Sequence, residues 1–170
     1  PRLGIKAMLQ SEDRDERIRI FFDLFDQKIY KARQSLLHRH EIMKNLKVKD
    51  LPFVAGQGLM VGSEGLKPND SIEPILKNGT YGIGFTGLAE TLIALTGKHH
   101  GEDSFSRDLG EKIIQHLRNK CDEFTKNDKL NWSCYATPAE GLSGKFVPDD
   151  RKKYGIIKGV TDKDFYTNSY

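Results

Sequence analysis

Only two of the 170 residues are cysteines, Cys121 and Cys134. That is too few for a disulfide framework, and a reducing, cytoplasmic location is expected. No run of 18 apolar residues occurs, so no stretch suits a membrane-spanning helix and no membrane partner is expected. Neither charge sign dominates: 27 Lys+Arg stand against 24 Asp+Glu, a net charge of +3. At a pI of 8.8 this excess is too small and too mixed to expect nucleic acid as a partner. A Walker loop, a Cys-x-x-Cys pair and a Ser-His-Asp order are also missing. So are an initiator Met and a signal peptide: the chain opens Pro1-Arg2-Leu3-Gly4 and closes on the aromatic, β-prone run Phe165-Tyr166-Thr167-Asn168-Ser169-Tyr170. The length suits one domain, but both ends have the composition of chain interior. The expectation is one segment, 1–170, of something longer.

What is present begins with a long amphipathic helix. Ser11 is its expected N-cap, and Glu12, Asp13 and Asp15 place negative charge on the first turn. Ile18, Phe21, Phe22, Phe25, Ile29, Ala32, Leu36 and Met43 recur at three- and four-residue steps. About 34 residues at ~1.5 Å each make a rod near 50 Å, long for a small domain and suited to the outside of a larger body. Residues 50–79 are rich in glycine and proline, yet Phe53, Val54, Leu59, Met60 and Val61 are interleaved, which predicts an ordered loop region rather than a flexible linker.

Two strand–helix units follow. Thr80–Phe85 is a β-prone run, and Leu88–Thr96 is a helix with Gly97 placed to end it. Gly82, Gly84 and Gly87 spell Gly-x-Gly-x-x-Gly, but they begin inside the strand and no acidic residue follows on a second strand about 20 residues on, as a dinucleotide site requires. Glycines within a strand more often let another backbone or a ligand come close. A third helix, Ser104 to Lys126, carries Phe105, Leu109, Ile113, Leu117, Cys121 and Phe124 on one stripe, so Cys121 reads as a small core residue and not a nucleophile. The second unit is the strand Asn131–Ala136 followed by Thr137-Pro138-Ala139-Glu140. Thr137 with Glu140 predicts a capping box, with Pro138 at the first helical position. A helix start at the carboxyl end of a strand also offers free N–H groups to a phosphate, against which the charge of Glu140 competes.

The remaining polar clusters carry less. Adjacent His99 and His100 lack the second ligand pair of a zinc site, and no metal is expected in this segment. His38 and His40 point apart on their helix, and Asp149-Asp150-Arg151-Lys152-Lys153 reads as a solvated turn.

Five ordered blocks resemble one family, the anaerobic (class III) ribonucleoside-triphosphate reductases. They are Gly56-Gln57-Gly58-Leu59 with Gly62-Ser63-Glu64; Asn78 through Thr91; Leu95 through Glu102; Ala136 through Phe146; and Gly159 through Ser169. The resemblance implies an α/β fold, part of a ten-stranded α/β barrel of two parallel five-stranded halves around a finger loop. It implies an oxidoreductase that replaces the ribose 2′-hydroxyl of a ribonucleoside triphosphate with hydrogen, by glycyl and thiyl radical chemistry. In the full-length family a glycyl radical, a structural zinc, formate as reductant and ATP/dNTP effectors take part, with a radical-SAM activating enzyme as partner and a homodimer as assembly.

Residue by residue, the resemblance makes Thr137, Pro138, Ala139 and Glu140 the substrate-phosphate loop. Asn78, Gly82, Gly84, Ser133 and Tyr135 are the expected barrel-lining positions, with Trp132 and Cys134 packed against helices. No catalytic residue is expected inside the segment, because the family's radical cysteine and glycine fall outside it, and the isolated 170 residues are expected to be inactive. Two other readings stand beside this one. A glycyl radical lyase shares the barrel. A non-catalytic helical interaction module would leave the apolar stripe of the first helix exposed, where a barrel would cover it with strands.

Overall fold

The computed structural model describes residues 1–168; Ser169 and Tyr170, the end of the aromatic run, lie outside the described residues. The chain folds as α1 (Arg2–Met8), α2 (Arg14–Met43), a single 3-10 turn (Val48–Asp50), α3 (Glu73–Leu76), β1 (Thr80–Phe85), α4 (Leu88–Thr96), α5 (Ser104–Asp128), β2 (Asn131–Ala136) and α6 (Glu140–Tyr154). The two strands form one sheet. Asn131 Nδ2 donates to the Gly79 carbonyl at 3.3 Å at one end, and the Thr137 N–H donates to the Phe85 carbonyl at 3.0 Å at the other. Both pairs are offset by 52 residues, so the strands run parallel, and the crossover through α4 and α5 supplies the long connection that parallel pairing needs. The architecture is α/β.

Local signals account for several boundaries. Gly97, at φ 87°, ends α4 in the left-handed conformation that glycine adopts without a side-chain penalty. α2 starts two residues later than Ser11 predicts. The Ser11 hydroxyl accepts the Asp13 N–H at 3.1 Å in a turn that precedes the helix, and Asp13 itself caps it by accepting the Glu16 N–H at 2.8 Å. α1 was not legible in the sequence: its seven residues include Gly4 and are too short to show a period.

Two compact units divide the chain. One comprises Pro1–Ile29, Gly84–Asn119 and the described residues from Cys134 onward; the other comprises Tyr30–Ile83 and Lys120–Ser133. In the first, Phe21 of α2 joins Ala7, Leu92, Leu95, Leu109 and Ile113 in one buried cluster. The first part of its stripe, Ile18 to Phe25, is therefore covered by helices α1, α4 and α5, while Met43 at its far end is exposed. A second cluster joins Ile5, Ala94 and Val160.

In the other unit Val48, Ala55, Ile72 and Ile75 make a small core. The loop region is ordered as expected, but by these residues: Phe53, Leu59, Met60 and Val61 stay exposed. Trp132 is buried against Tyr81 and Phe124, with ring centroids 5.5 Å away in each case. The Arg33 guanidinium grips Asp128, and His40 reaches the Tyr81 hydroxyl at 2.6 Å, a partner that only tertiary folding supplies.

The α5 stripe is buried at Leu109, Ile113, Leu117, Cys121 and Phe124, while Phe105 is exposed beneath the Arg14 guanidinium. The expected solvated turn at 149–153 is instead the last part of α6, which runs through Pro148. Asp150 is only 1% exposed, accepting from Arg2 Nε at 2.6 Å and from the Tyr166 hydroxyl at 2.9 Å. A cation and a hydroxyl from distant segments satisfy a carboxylate that composition alone assigns to solvent. Phe165 to Asn168 form no strand: Tyr166 is buried and bonds to Asp150 of α6, while Thr167 bonds to the Glu90 carboxylate and accepts the Gly87 N–H.

Candidate functional site

The site begins where β1 and β2 end. Alternation along β2 turns Tyr135 and Thr137 to one side, and both meet Gly84 of β1. A Cβ built on Gly84 would stand 2.1 Å from Thr137 Oγ1 and 3.2 Å from Tyr135 Cζ. Thr137 therefore occupies the space that a side chain at Gly84 would fill. The glycine inside the strand is there for close approach, as its position in the strand predicts.

After Thr137 the chain turns through Pro138 and Ala139 and enters α6 at Glu140. The capping box does not form. Ala139 occupies the N-cap position, at φ −116° and ψ 48°, and offers no side-chain oxygen to the first turn. Thr137 is held back by its bond to Phe85, which leaves Pro138 before the cap rather than at the first helical position. The first intrahelical bond runs from the Ser143 N–H to the Ala139 carbonyl at 2.7 Å. The N–H groups of Glu140, Gly141 and Leu142 consequently have no partner within the helix. They lie along an open concavity of about 540 Å³ lined by Thr137, Pro138, Ala139, Glu140, Gly141 and Leu142. Unsatisfied amides, a positive helix end and an open approach together suit an anion. Glu140 is exposed, free to turn its carboxylate into solvent.

The other expected lining positions are distributed differently. Tyr135 is 46% exposed beside Gly84. Gly82 and Ser133 belong to the other unit and are half-buried on their own strands. Asn78 is spent on its own loop, its amide donating to the carbonyls of Pro74 at 3.0 Å and Val61 at 3.3 Å. His99 folds back on its loop, accepting the Gly101 N–H at Nδ1 and giving its own N–H to Glu102. Among the described residues no three His, Cys, Asp or Glu side chains cluster in a way that could hold a metal, and none of their helices is long and apolar enough to cross a membrane.

Sequence reasoning missed a buried carboxylate on the helix that follows β1. Glu90, on the first turn of α4, is fully buried. Its carboxylate is contacted by Lys163 Nζ and accepts from the Thr167 hydroxyl at 2.9 Å and the Thr167 N–H at 3.1 Å. Burial on its own would raise its pKa. The Lys163 ammonium, its own backbone N–H and Thr167 outweigh that and hold the carboxyl below the usual carboxylate range. Glu90 stands three residues into an otherwise apolar helix, and no local signal marks its burial.

An α/β protein with a parallel strand–turn–helix unit and an uncapped, anion-receptive helix start is the class these elements define. The fold matches a crystal structure of the anaerobic ribonucleotide reductase from Thermotoga maritima with glycerol in the active site, with a TM-score of 0.64 at 15% identity over 96% of this chain and 24% of that one. Anaerobic ribonucleoside-triphosphate reductases of Haemophilus influenzae and Salmonella typhimurium are each 33% identical to it, over 97% and 88% of this chain. The enzyme of enterobacteria phage T4 is 28% identical over all of it. The family model for anaerobic ribonucleoside-triphosphate reductase matches residues 1–170, and the chain belongs to that family. It spans about a quarter of the length of these relatives. The family match sets aside both the lyase and the helical-module readings.

Proposed function

We propose that this chain is a segment of the catalytic barrel of an anaerobic ribonucleoside-triphosphate reductase, and that its turn Thr137-Pro138-Ala139-Glu140 holds the substrate's phosphates. The observation that carries the reading is the uncapped start of α6: an alanine stands where a side-chain oxygen would otherwise occupy the free amides, and the concavity in front of them is open. Gly84 and Tyr135 border the turn on the β1 side.

The whole enzyme would reduce a ribonucleoside triphosphate at its 2′-carbon in the cytoplasm, as a homodimer. A glycyl radical installed by a radical-SAM partner, formate as reductant and ATP/dNTP effectors belong to that whole. Among the described residues no ligand cluster suits the zinc of the family. The 170 residues alone are expected not to turn over nucleotide.

The test is substrate binding by the full-length reductase carrying Thr137→Val or Pro138→Gly. Thr137→Val removes a hydroxyl beside the amides, and Pro138→Gly loosens the turn that aims them. Each is expected to raise the dissociation constant of the triphosphate about tenfold, the equivalent of one charge-assisted hydrogen bond. Unchanged constants in both variants would remove the role from this turn.

A further inference from the structure

The proposed phosphate turn is held from two sides. On one side Thr137 is bonded to Phe85 and seated against Gly84. On the other a strap, residues 163–168, lies across the first turns of α6. The Tyr166 N–H donates to the Ser143 carbonyl at 3.3 Å, Asn168 Nδ2 donates to Ser143 Oγ at 3.3 Å, and the Tyr166 hydroxyl donates to Asp150 at 2.9 Å. Ser143 is 1% exposed, and its hydroxyl donates in turn to the Glu140 carbonyl at 3.0 Å. The strap thus touches the very residue whose N–H makes the first bond of the helix.

Something must hold the strap. Its backbone receives one ladder-like bond, from the Gly87 N–H to the Thr167 carbonyl at 2.6 Å. Three further ties on its α4 side end on one carboxylate: Lys163 Nζ, the Thr167 N–H and the Thr167 hydroxyl all reach Glu90. A buried carboxylate with this many donors is expensive to rearrange, because each donor it loses leaves another polar group unsatisfied. Gly87 lies two residues beyond Phe85, so Glu90 ties the strap to the same end of β1 that anchors Thr137.

We infer that Glu90 is a positioning residue for the phosphate turn, holding strap 163–168 against Ser143 so that the amides of 140–142 stay aimed at the anion. The inference rests on the phosphate-turn reading above and gives that site a second support that touches no substrate. A residue serving only the packing of α4 would lower stability without changing which ligands are bound. A positioning residue weakens phosphate-bearing ligands selectively.

The experiment measures binding of a ribonucleoside triphosphate and of the corresponding unphosphorylated nucleoside to the full-length reductase carrying Glu90→Gln, Glu90→Asp or Thr167→Val. Circular dichroism at the assay temperature verifies the fold of each. Glu90→Gln is expected to weaken the triphosphate about tenfold and the nucleoside less than twofold, with KM rising and kcat nearly unchanged, since the lost interaction is made equally in ground and transition states. Glu90→Asp, which keeps the charge, recovers part of the loss, and Thr167→Val, which removes one donor, costs about threefold. Triphosphate binding within twofold of the parent in Glu90→Gln, while Pro138→Gly weakens it, overturns this inference and leaves the phosphate turn standing. If Pro138→Gly is also silent, the phosphate-turn reading falls and takes the inference with it. Equal weakening of both ligands shows a packing role and overturns the inference. Should Glu90→Gln fail to fold, Thr167→Val decides, and no selective loss there counts against Glu90.

Discussion

Gly84→Ala is the sharpest probe of how the turn is built. The new Cβ would sit 2.1 Å from Thr137 Oγ1, about 1.2 Å short of the roughly 3.3 Å that carbon and oxygen take at closest ordinary contact. Of the two other staggered rotamers of Thr137, one swings its methyl group into the vacated place and the other turns its hydrogen there at the expense of the observed rotamer. Either Thr137 leaves its staggered rotamer, at about 0.5–1.5 kcal/mol, or the strand ends part and the 3.0 Å bond from Thr137 to Phe85 is lost, at about 0.5–1.5 kcal/mol. Against this, replacing a glycine whose φ is not positive with alanine stiffens the unfolded chain and returns about 0.4–1 kcal/mol.

Either cost alone is about 0.5–1.5 kcal/mol and both together about 1–3 kcal/mol, so after the roughly 0.4–1 kcal/mol returned the net expectation for Gly84→Ala is a loss of up to about 2.5 kcal/mol. The clash is with one atom, so it is removable. With Thr137→Ala the nearest remaining contacts are Thr137 Cβ at 3.4 Å and the movable ring of Tyr135 at 3.2 Å, and adding Gly84→Ala to that background is expected to be neutral within about 0.5 kcal/mol. Urea unfolding of the four chains, followed by circular dichroism, closes the double-mutant cycle. A coupling energy near zero, with Gly84→Ala equally costly in both backgrounds, would refute the claim that Thr137 fills the space over Gly84.

One other substitution and one labelling experiment test the packing behind the site. Tyr166→Phe leaves the buried Asp150 with Arg2 as its remaining partner and is expected to cost about 1–3 kcal/mol at neutral pH. Burial first, and the Asp150 bond second, push the Tyr166 phenol above its usual value near 10. The folded chain therefore keeps that proton where the unfolded chain has lost it: the contribution is complete below about pH 10 and declines as pH rises beyond it. The alkaline fall in the urea midpoint should be shallower in Tyr166→Phe, and parallel curves would contradict the buried contact. Cys121 is buried and Cys134 half-buried, so a thiol reagent should label Cys134 on the native chain and Cys121 only after unfolding. Rapid labelling of both would place Cys121 outside the core.

The sequence by itself determined the elements whose causes are local. The β-prone run of β1, the stripe of α5 and the glycine after α4 each state their structure within a few residues, and β1, β2 and α4 fall where those signals put them. Five blocks in a fixed order were enough to point to the family. Tertiary structure decided the rest. Thr137 and Glu140 spell a capping box, but a bond from Thr137 to a carbonyl 52 residues away withholds the cap and leaves bare amides. Asp150 spells a solvated turn, but Arg2 and Tyr166 bury it. Glu90 spells a helix start, and Lys163 and Thr167 make it the anchor of a strap. A local signal is worth about 1 kcal/mol; a buried charge left without its donors costs several times that. Where the two conflict the distant partner prevails, and it is these partners that shape the site.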